Sequence, residues 1–405
     1  MRPFTDERHD ELRERVAHAF SERADELRER VAQAFPAGAT PWNDLLSGAD
    51  PGLLSLAEDT ALKLRTPAIE RLDAAGLLPL VVPAAYGGAY PEVSPLALVV
   101  AREALAGHAA DCDAALAVQT LAAIPVARAG TFEQRDRWLP GLATGKERGA
   151  FVLTERQSGS DVSAIATAAK RDVDGYRLEG EKVLISGALS ATMLVVFART
   201  GEPGTRAISA FVVLPAAPGV EIGSIPNLGE HELGTVRLEG VWVPESARLG
   251  AEGDGLSLAL GALELMRPTV GAAACGMAAR ALEETRALVR ERKRGGITLG
   301  EHESVRMKLA ELATELEAAR LLVYRAAWLR ENTPADERLD APSAMAKLYA
   351  TEAAGRIVDA CVQLHGGLGV VRGAVVERLY REVRALRIYE GTSEILKLVI
   401  ARSLP

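Results

Sequence analysis

The sequence predicts a mainly α-helical protein with a central β domain. Residues from about 52 to 147 are rich in Ala and Leu at helical spacing. From about 148 the chain changes to short β-branched or alternating runs, such as "MLVVFART" and "AISAFVVLP", which Gly, Asp and Pro separate. Helical spacing returns after "EGDG" at 252–255 and continues to the end. This order excludes the regular βαβ alternation of a doubly wound parallel sheet.

These changes of pattern divide the 405 residues into four parts. We predict a repeated amphipathic helical extension at 1–40, a helical domain at 41–147, a β domain at 148–250 and a helical bundle at 251–405. A core shared by two or three packed units fits this length.

The extension contains a tandem repeat, in which "ERHDELRERVAHAF" at 7–20 returns as "ERADELRERVAQAF" at 22–35 with 12 of 14 positions identical. Leu12, Val16 and Phe20 are four residues apart, as on one stripe of a helix. The repeat predicts a long amphipathic helix or a helical hairpin. A surface helix without chemistry is favoured over an oligomer contact.

Composition excludes several classes of partner and ligand. The formal net charge is −8, from 47 basic and 55 acidic residues, so we expect no nucleic-acid surface. The three cysteines lack CxxC spacing, which argues against a disulfide scaffold or a metal site. The charged N-terminus has no apolar signal segment, and no apolar run is expected to span a membrane. We expect a cytoplasmic protein.

Four stretches are candidates for chemistry: "LTERQSGSD" at 153–161, "EKVLISGA" at 181–188, "QLHGGLG" at 363–369 and "IYEGTSEI" at 388–395. The first is a hydroxyl-rich and glycine-rich loop whose N–H groups suit a heterocycle edge or a phosphate. The last puts Glu390 into an otherwise apolar run. It is either an acid at a helix start, with Thr392 or Ser393 as N-cap, or a catalytic base.

Together, in this order, the stretches resemble the acyl-CoA dehydrogenase family over roughly residues 50–403. "VPAAYGG" at 82–88 and "MRPTVGAAACGMAARALEET" at 266–285 extend the resemblance to both helical parts. The resemblance implies an N-terminal α-helical domain, a middle β-barrel or sheet domain and a C-terminal four-helix bundle. It also implies FAD as cofactor.

The implied activity is α,β-dehydrogenation of an acyl thioester, carried by CoA or by acyl carrier protein. Glu390 would remove the α-proton, while the β-hydrogen leaves as hydride to N5 of FAD. Such a base needs a water-poor site that raises its pKa towards the operating pH. Donors to the thioester carbonyl are also needed, and the Glu390 N–H is one of them by resemblance. Electron-transfer flavoprotein or oxygen would then accept the electrons.

The resemblance implies six flavin-contacting positions in the middle domain. They are Phe151, Leu153, Thr154, Ser160, Leu184 and Ser186. Thr154 would bond the pyrimidine side of the ring, Ser186 would lie near N5 and Ser160 near the pyrophosphate. Leu184 stands where the family normally has a Trp, so an aromatic contact worth about 0.5–1.5 kcal/mol beyond burial is lost.

Six further cofactor positions are implied in the C-terminal part. They are Arg292, Gln363, Gly366, Gly367, Thr392 and Glu394. Arg292 would meet the FAD pyrophosphate of a neighbouring subunit, and the 363–367 loop would line the adenosine. Thr392 and Glu394 would return to the cofactor. Because a neighbour completes the site, we expect a homodimer or homotetramer.

Several residues depart from the family pattern. Arg156 and Gln157 replace the usual Pro-Gly, as in related polyketide-pathway dehydrogenases that act on carrier-protein substrates. Gly295 replaces an aromatic residue that usually borders the adenine, and Glu303 a common Gln. An alternative family position for the base falls at Met266, which cannot abstract a proton.

Three smaller expectations complete the sequence interpretation. Arg267 either borders the active site or forms a structural ion pair, with Glu264 as a possible partner. A backbone bond is favoured over a cofactor contact for His365. Two other functions remain alternatives: a flavin-dependent monooxygenase or oxidase on the same fold, and a catalytically degenerate scaffold.

Overall fold

The computed structural model describes residues 68–201, 207–334, 337 and 339–404. The predicted extension at 1–40 with its repeat lies outside these residues. Within them, the prediction of a mainly α-helical protein with a central β domain is confirmed.

Four helices of the described residues precede the sheet. They are α1 (Ala68–Ala74), α2 (Pro95–Ala106), α3 (Ala110–Ala129) and α4 (Phe132–Ala143). Ser94 caps α2 by accepting a hydrogen bond from the Ala97 N–H, and Pro95 occupies the first helical turn, where its missing N–H costs nothing. Thr131 and Gln134 form a reciprocal capping box at α4. The starts of α2 and α4 therefore follow from local sequence.

The middle of the chain folds into one mixed eight-stranded sheet. Its strands are β1 (Gly149–Val152), β2 (Ala168–Asp172), β3 (Gly175–Ser186), β4 (Met193–Arg199), β5 (Ile208–Val213), β6 (Val220–Ser224), β7 (Leu233–Pro244) and β8 (Arg248–Leu249). The order is β6-β7-β3-β2-β4-β5-β8, and β1 pairs in parallel with the first half of β4. Because the two ends of this order do not pair, the domain is an open sheet.

Strands β4 and β5 are apolar at nearly every position because both faces of the sheet are covered there. Met193, Val195 and Phe197 point into the core shared with the N-terminal helices. The alternate residues Leu194 and Val196 belong to a second core on the opposite face. A strand buried on two faces reads as a continuous apolar run, which accounts for the "MLVVFA" pattern.

Helices return after the sheet. They are α5 (Gly255–Glu291), α6 (Glu303–Asn332), α7 (Asp340–His365), α8 (Val375–Leu386) and α9 (Ser393–Ala401), with a short hairpin of β9 (Lys293–Arg294) and β10 (Ile297–Thr298) after α5. Helix α5 packs against α2, α6 and α7. A Cβ on Gly276 would lie 2.0 Å from the Glu103 carbonyl oxygen, so only glycine permits this approach of α5 to α2. The N-terminal and C-terminal helices thus share one core.

Two described helices, α3 and α5, are long and apolar enough to cross a membrane by length and composition, contrary to the prediction. In both, 72% of the most apolar window is buried inside the protein. Their position at the centre of the helical core accounts for their composition.

A buried ion pair fixes the loop that follows β1. Lys182 on β3 is fully buried, and its Nζ donates to Glu155 Oε1 at 2.9 Å and to the Leu153 carbonyl at 2.9 Å. Glu155 also accepts from the N–H groups of Ala166 and Thr167, at 2.6 and 2.9 Å. Burial alone would raise the pKa of Glu155, but Lys182 and these donors outweigh burial and lower it. The 153–161 loop is thereby anchored to β3.

We predict that Lys182→Met destabilises the protein by about 3–5 kcal/mol, because it leaves the Glu155 carboxylate buried without its cation. The change is measured as a lower urea midpoint. Arg177→Met is the matched control on the same strand, since the Arg177–Asp172 pair is exposed and such pairs contribute at most about 1 kcal/mol. Equal midpoints for the two variants would contradict this prediction.

Candidate functional site

Glu390, the predicted base, lies in the turn between α8 and α9. Its φ of 54° is left-handed, and so is the φ of 101° at Gly391. Thr392 is the N-cap of α9, because its hydroxyl accepts from the Ile395 N–H at 3.4 Å. A non-glycine residue in this region costs about 1–3 kcal/mol and persists only where its surroundings enforce it. The backbone here serves to direct the Glu390 side chain.

One oxygen of the Glu390 carboxyl is enclosed, while the residue as a whole is partly exposed. Its Oε2 is buried, and no group among the described residues donates a hydrogen bond to it. Burial raises the pKa of Glu390 to about 7, against the opposing charges of Arg102, Lys347 and Arg267. Ile388, an apolar neighbour of Glu390 in the sequence, does not supply this burial, because 52% of its surface is exposed. Leu396, another apolar neighbour, is fully buried.

Arg102 on α2 is fully buried and is held by three hydrogen bonds. Its Nε and Nη2 donate to the two carboxylate oxygens of Asp113 at 2.7 and 2.9 Å, and Nη1 donates to Thr269 Oγ1 at 2.8 Å. The bidentate Arg102–Asp113 pair joins α2 to α3, and the bond to Thr269 joins both to α5, beside Glu390. Because both side chains have their hydrogen-bond partners, the positive charge of Arg102 is held in a fixed position.

Lys347 on α7 is the second fully buried cation near Glu390. Its Nζ donates to the carbonyl of Gly391, the residue after the predicted base, at 2.7 Å. Burial lowers the pKa of Lys347 to about 8, while the charge of Glu390 opposes that shift.

Arg267 is the third cation, and it forms an ion pair with Asp340 at 3.7 Å. Glu264 has a different partner, Arg330, at 3.4 Å, and also accepts from the Leu339 N–H at 3.0 Å. Met266, at the alternative base position, is fully buried in the helical core.

The six middle-domain positions fall around the ends of β1 and β3. Phe151 lies in β1 and Leu153 directly follows that strand. The Thr154 carbonyl accepts from the Val183 N–H at 3.0 Å, which ties the loop to β3. Ser160 lies in the exposed part of the loop, and Ser186 is the last residue of β3. These positions therefore border one edge of the sheet.

Leu184 adopts a left-handed conformation, with φ of 57°, and 55% of its surface is exposed. It lies where the pairing of β3 with β7 shifts register, between Lys182 and Ile185. The bulge turns this side chain out of the sheet.

Loops connect this sheet edge to the helices that carry Glu390. A Cβ on Gly187 would lie 3.2 Å from Val118 Cγ1 on α3. The Glu230 N–H, in the loop before β7, donates to Glu382 Oε1 on α8 at 2.7 Å. The sheet edge and the Glu390 turn are thus parts of one packed region.

The remaining cofactor positions lie at two places. Thr392 and Glu394 lie in the first turn of α9, directly after the Glu390 turn. Arg292 lies at the end of α5 and donates from Nη1 to the His365 carbonyl at 2.8 Å, beside Gly366. Gln363, Gly366 and Gly367 are exposed there. At 1.5 Å per residue, this second group lies about 27 Å along α7 from Lys347.

Next to this second group, the structure shows the roles of His365 and Gly295. His365 has a structural role, since it is buried and its Nδ1 lies 2.8 Å from the Cys361 carbonyl oxygen. Gly295 and Gly296 form the two-residue turn of the β9–β10 hairpin, with φ of 62° and 89°. This tight turn requires left-handed residues, which explains why an aromatic residue is replaced there.

Sequence reasoning missed Arg102, Asp113 and Lys347. The signal for two of them is charge inside an apolar helical stretch: the adjacent Arg102 and Glu103 in "LVVAREALA", and the single charge of Lys347 in "SAMAKLYA". Asp113 had no such signal, because acidic residues are common in the first turn of a helix. Cys275 and Cys361 are free thiols that lie buried in the helical core. Among the described residues no cluster of potential ligands could hold a metal ion.

Comparison with known proteins accounts for this arrangement. Sequence profiles of the acyl-CoA dehydrogenase N-terminal, middle and C-terminal domains match residues 51–146, 150–241 and 253–404. Cyclohexane-1-carbonyl-CoA dehydrogenase from Geobacter metallireducens is 36% identical, over 81% of this chain and 86% of its own. A subunit of the caffeyl-CoA reductase–Etf complex from Acetobacterium woodii is 38% identical, over 70% and 76%.

Two solved structures share the whole architecture. Butyryl-CoA dehydrogenase from Megasphaera elsdenii superimposes with a TM-score of 0.83 at 28% identity, covering 94% of this chain and 98% of its own. The prolyl acyl carrier protein oxidase AnaB gives a TM-score of 0.81 at 28% identity, with coverage of 94% and 98%. The chain belongs to the acyl-CoA dehydrogenase family, whose members are flavoproteins, and it is an oxidoreductase acting on CH–CH groups.

Proposed function

We propose that the protein is an FAD-dependent enzyme that introduces an α,β double bond into an acyl thioester, with Glu390 as the base. The observation that carries this proposal is the Glu390 carboxyl, with a buried oxygen that no described residue satisfies and a pKa of about 7. An unsatisfied buried oxygen costs free energy, which is typical of a site built for a reacting group.

The raised pKa suits proton abstraction from carbon. An ordinary glutamate is fully ionised at neutral pH but is a weak base, whereas a carboxylate with a pKa near 7 is a stronger base and still substantially ionised. The Glu390 N–H, in the left-handed turn, is proposed to donate to the thioester carbonyl as negative charge develops on it. The packed helices exclude water from one oxygen of the carboxylate.

The residues at the sheet edge fit a flavin. The anchored 153–161 loop presents hydroxyl and N–H groups, and the exposed Leu184 offers an apolar surface for a ring. We propose that Phe151, Leu153, Thr154, Ser160, Leu184 and Ser186 hold the flavin half of FAD. When bound, FAD supplies the acceptor for the hydride that leaves the β-carbon. Thr392 and Glu394 would approach the same cofactor from the α9 side.

The second group is proposed to serve a neighbouring copy of the chain. Arg292, Gln363, Gly366 and Gly367 lie about 27 Å along α7 from Lys347, the α7 residue that contacts the Glu390 turn. That separation favours a contact with the FAD of another subunit, as expected for a homodimer or homotetramer. Gly366 and Gly367 would let the backbone approach the adenosine closely.

Acyl-CoA and acyl-carrier-protein thioesters are both proposed as substrate carriers. The exposed Arg156 and Gln157 extend from the anchored loop, and one structural relative is an acyl carrier protein oxidase. Electron-transfer flavoprotein is the proposed acceptor on the analogy of the caffeyl-CoA reductase–Etf relative, with oxygen as the alternative. A cytoplasmic location fits these partners.

We predict that Glu390→Gln retains bound flavin but abolishes anaerobic bleaching of the flavin by a good acyl thioester. Glutamine keeps the shape of the side chain and cannot take the α-proton. The measurement is flavin absorbance in a screen of acyl-CoA and acyl-carrier-protein thioesters. Glu311→Gln, an exposed change on α6, is the control that should bleach normally.

Three results would overturn the proposal. Normal bleaching by Glu390→Gln would exclude Glu390 as the base. Rapid reduction by NAD(P)H, with no response to any thioester, would favour the monooxygenase or oxidase. A colourless protein that cannot be reconstituted with FAD would favour a scaffold.

We predict that the anaerobic bleaching rate of the wild-type protein rises with pH and levels off above about pH 7. Glu390 must be deprotonated to act, and its pKa is about 7, so activity is lost as pH falls below that value. Stopped-flow absorbance between pH 5.5 and 9 measures this. A rate that stays constant down to pH 5.5 would contradict the raised pKa.

A further inference from the structure

Lys347 has a position that the proposed chemistry does not yet explain. A lysine is rarely fully buried unless it is paired, and this one lies on the helix that packs against the Glu390 turn. Its ammonium group donates a hydrogen bond to the Gly391 carbonyl at 2.7 Å, and no carboxylate among the described residues forms an ion pair with it within 4 Å. Burial of a cation costs free energy that one hydrogen bond to a backbone carbonyl does not offset, so a compensating role is expected.

The bond falls at the strained point of the backbone. Glu390 and Gly391 are consecutive left-handed residues, and their conformation needs external support. Helix α7 supplies support at two places, since Lys347 holds the Gly391 carbonyl and Glu352 accepts from Ser393 Oγ at 2.6 Å. Glu352 is in turn paired with Arg387 at 2.7 Å. The turn is therefore clamped from α7 on the side following Glu390.

We propose that Lys347 is a positioning residue for Glu390: it fixes the left-handed Glu390–Gly391 turn through the Gly391 carbonyl and supplies a buried positive charge beside the carboxylate. This inference rests on the proposed function, in which Glu390 is the base. It assigns to Lys347 no contact with substrate or cofactor.

The charges around the two groups set the direction of the effect. Lys347 faces Glu390, Glu352 and Glu394, which favour its charged form, and Arg267, which opposes it. Glu390 faces Arg102, Lys347 and Arg267, which favour the carboxylate, and Asp113, which opposes it. Removal of the Lys347 charge alone therefore destabilises the Glu390 carboxylate and shifts its titration to higher pH.

The test compares Lys347→Met, which removes both the donor and the charge, with Lys347→Gln, which can keep a donor and removes only the charge. Both should move the pH break in anaerobic bleaching upwards. Lys347→Met should also lower the rate on the high-pH plateau by about 100-fold, because displacement of the base by about 1 Å has an effect of that size. Lys347→Gln should retain more of the plateau rate than Lys347→Met. KM for the thioester should change little in either.

A second readout does not depend on turnover. Hydrogen exchange of the peptide that contains residues 389–393 should be faster in Lys347→Met than in the wild-type protein, with or without FAD. Lys308→Met, an exposed change on α6, is the matched control and should alter neither exchange nor bleaching.

The outcomes separate this inference from the proposed function. If Glu390→Gln is inactive and Lys347→Met has the wild-type plateau, pH break and exchange, the positioning role is wrong and the base assignment stands. If Glu390→Gln itself bleaches normally, the proposed function fails first. Should Lys347→Met not fold, Lys347→Gln decides, and an unchanged pH break in that variant overturns the inference.

Discussion

The site depends on the partial enclosure of one carboxyl group. Burial raises the pKa of Glu390 to about 7, and the nearby cations Arg102, Lys347 and Arg267 limit that rise. Without the cations the group would stay protonated at neutral pH, and without the burial it would be an ordinary, weakly basic glutamate. The other features of the helical region hold these opposing effects in place.

Each cation is fixed from a different helix, so the charge around Glu390 is a property of the whole fold. Arg102 is held by Asp113 and Thr269, which join three helices. Lys347 reaches the turn from α7. Such a preorganised arrangement needs no rearrangement when charge moves during a reaction. The middle domain also contains a buried ion pair, Glu155–Lys182, which anchors the loop proposed to hold the flavin.

Much of the fold could be predicted from sequence, because the changes between helical and alternating spacing are strong along this chain. The order of helices, sheet and helices is confirmed, and so is the N-cap at Thr392, one of two residues considered. Of the charged residues around Glu390, Arg267 was considered from the sequence, whereas Arg102 and Lys347 could not be placed there because they come from α2 and α7. Only the tertiary packing shows that Arg102 and Lys347 lie near the same carboxylate. Neither could the sequence predict that Ile388 is exposed, since one turn of backbone decides its direction.

The most direct test of this account is exchange of the α-proton in deuterated water, using an acyl thioester that lacks a transferable β-hydrogen. Such a substrate cannot transfer a hydride to the flavin, so only proton abstraction is measured. We predict that the FAD-loaded wild-type protein incorporates deuterium at the α-carbon faster above about pH 7 than below it, and that Glu390→Gln incorporates none above background. Undiminished exchange in Glu390→Gln would contradict the central role of this carboxylate.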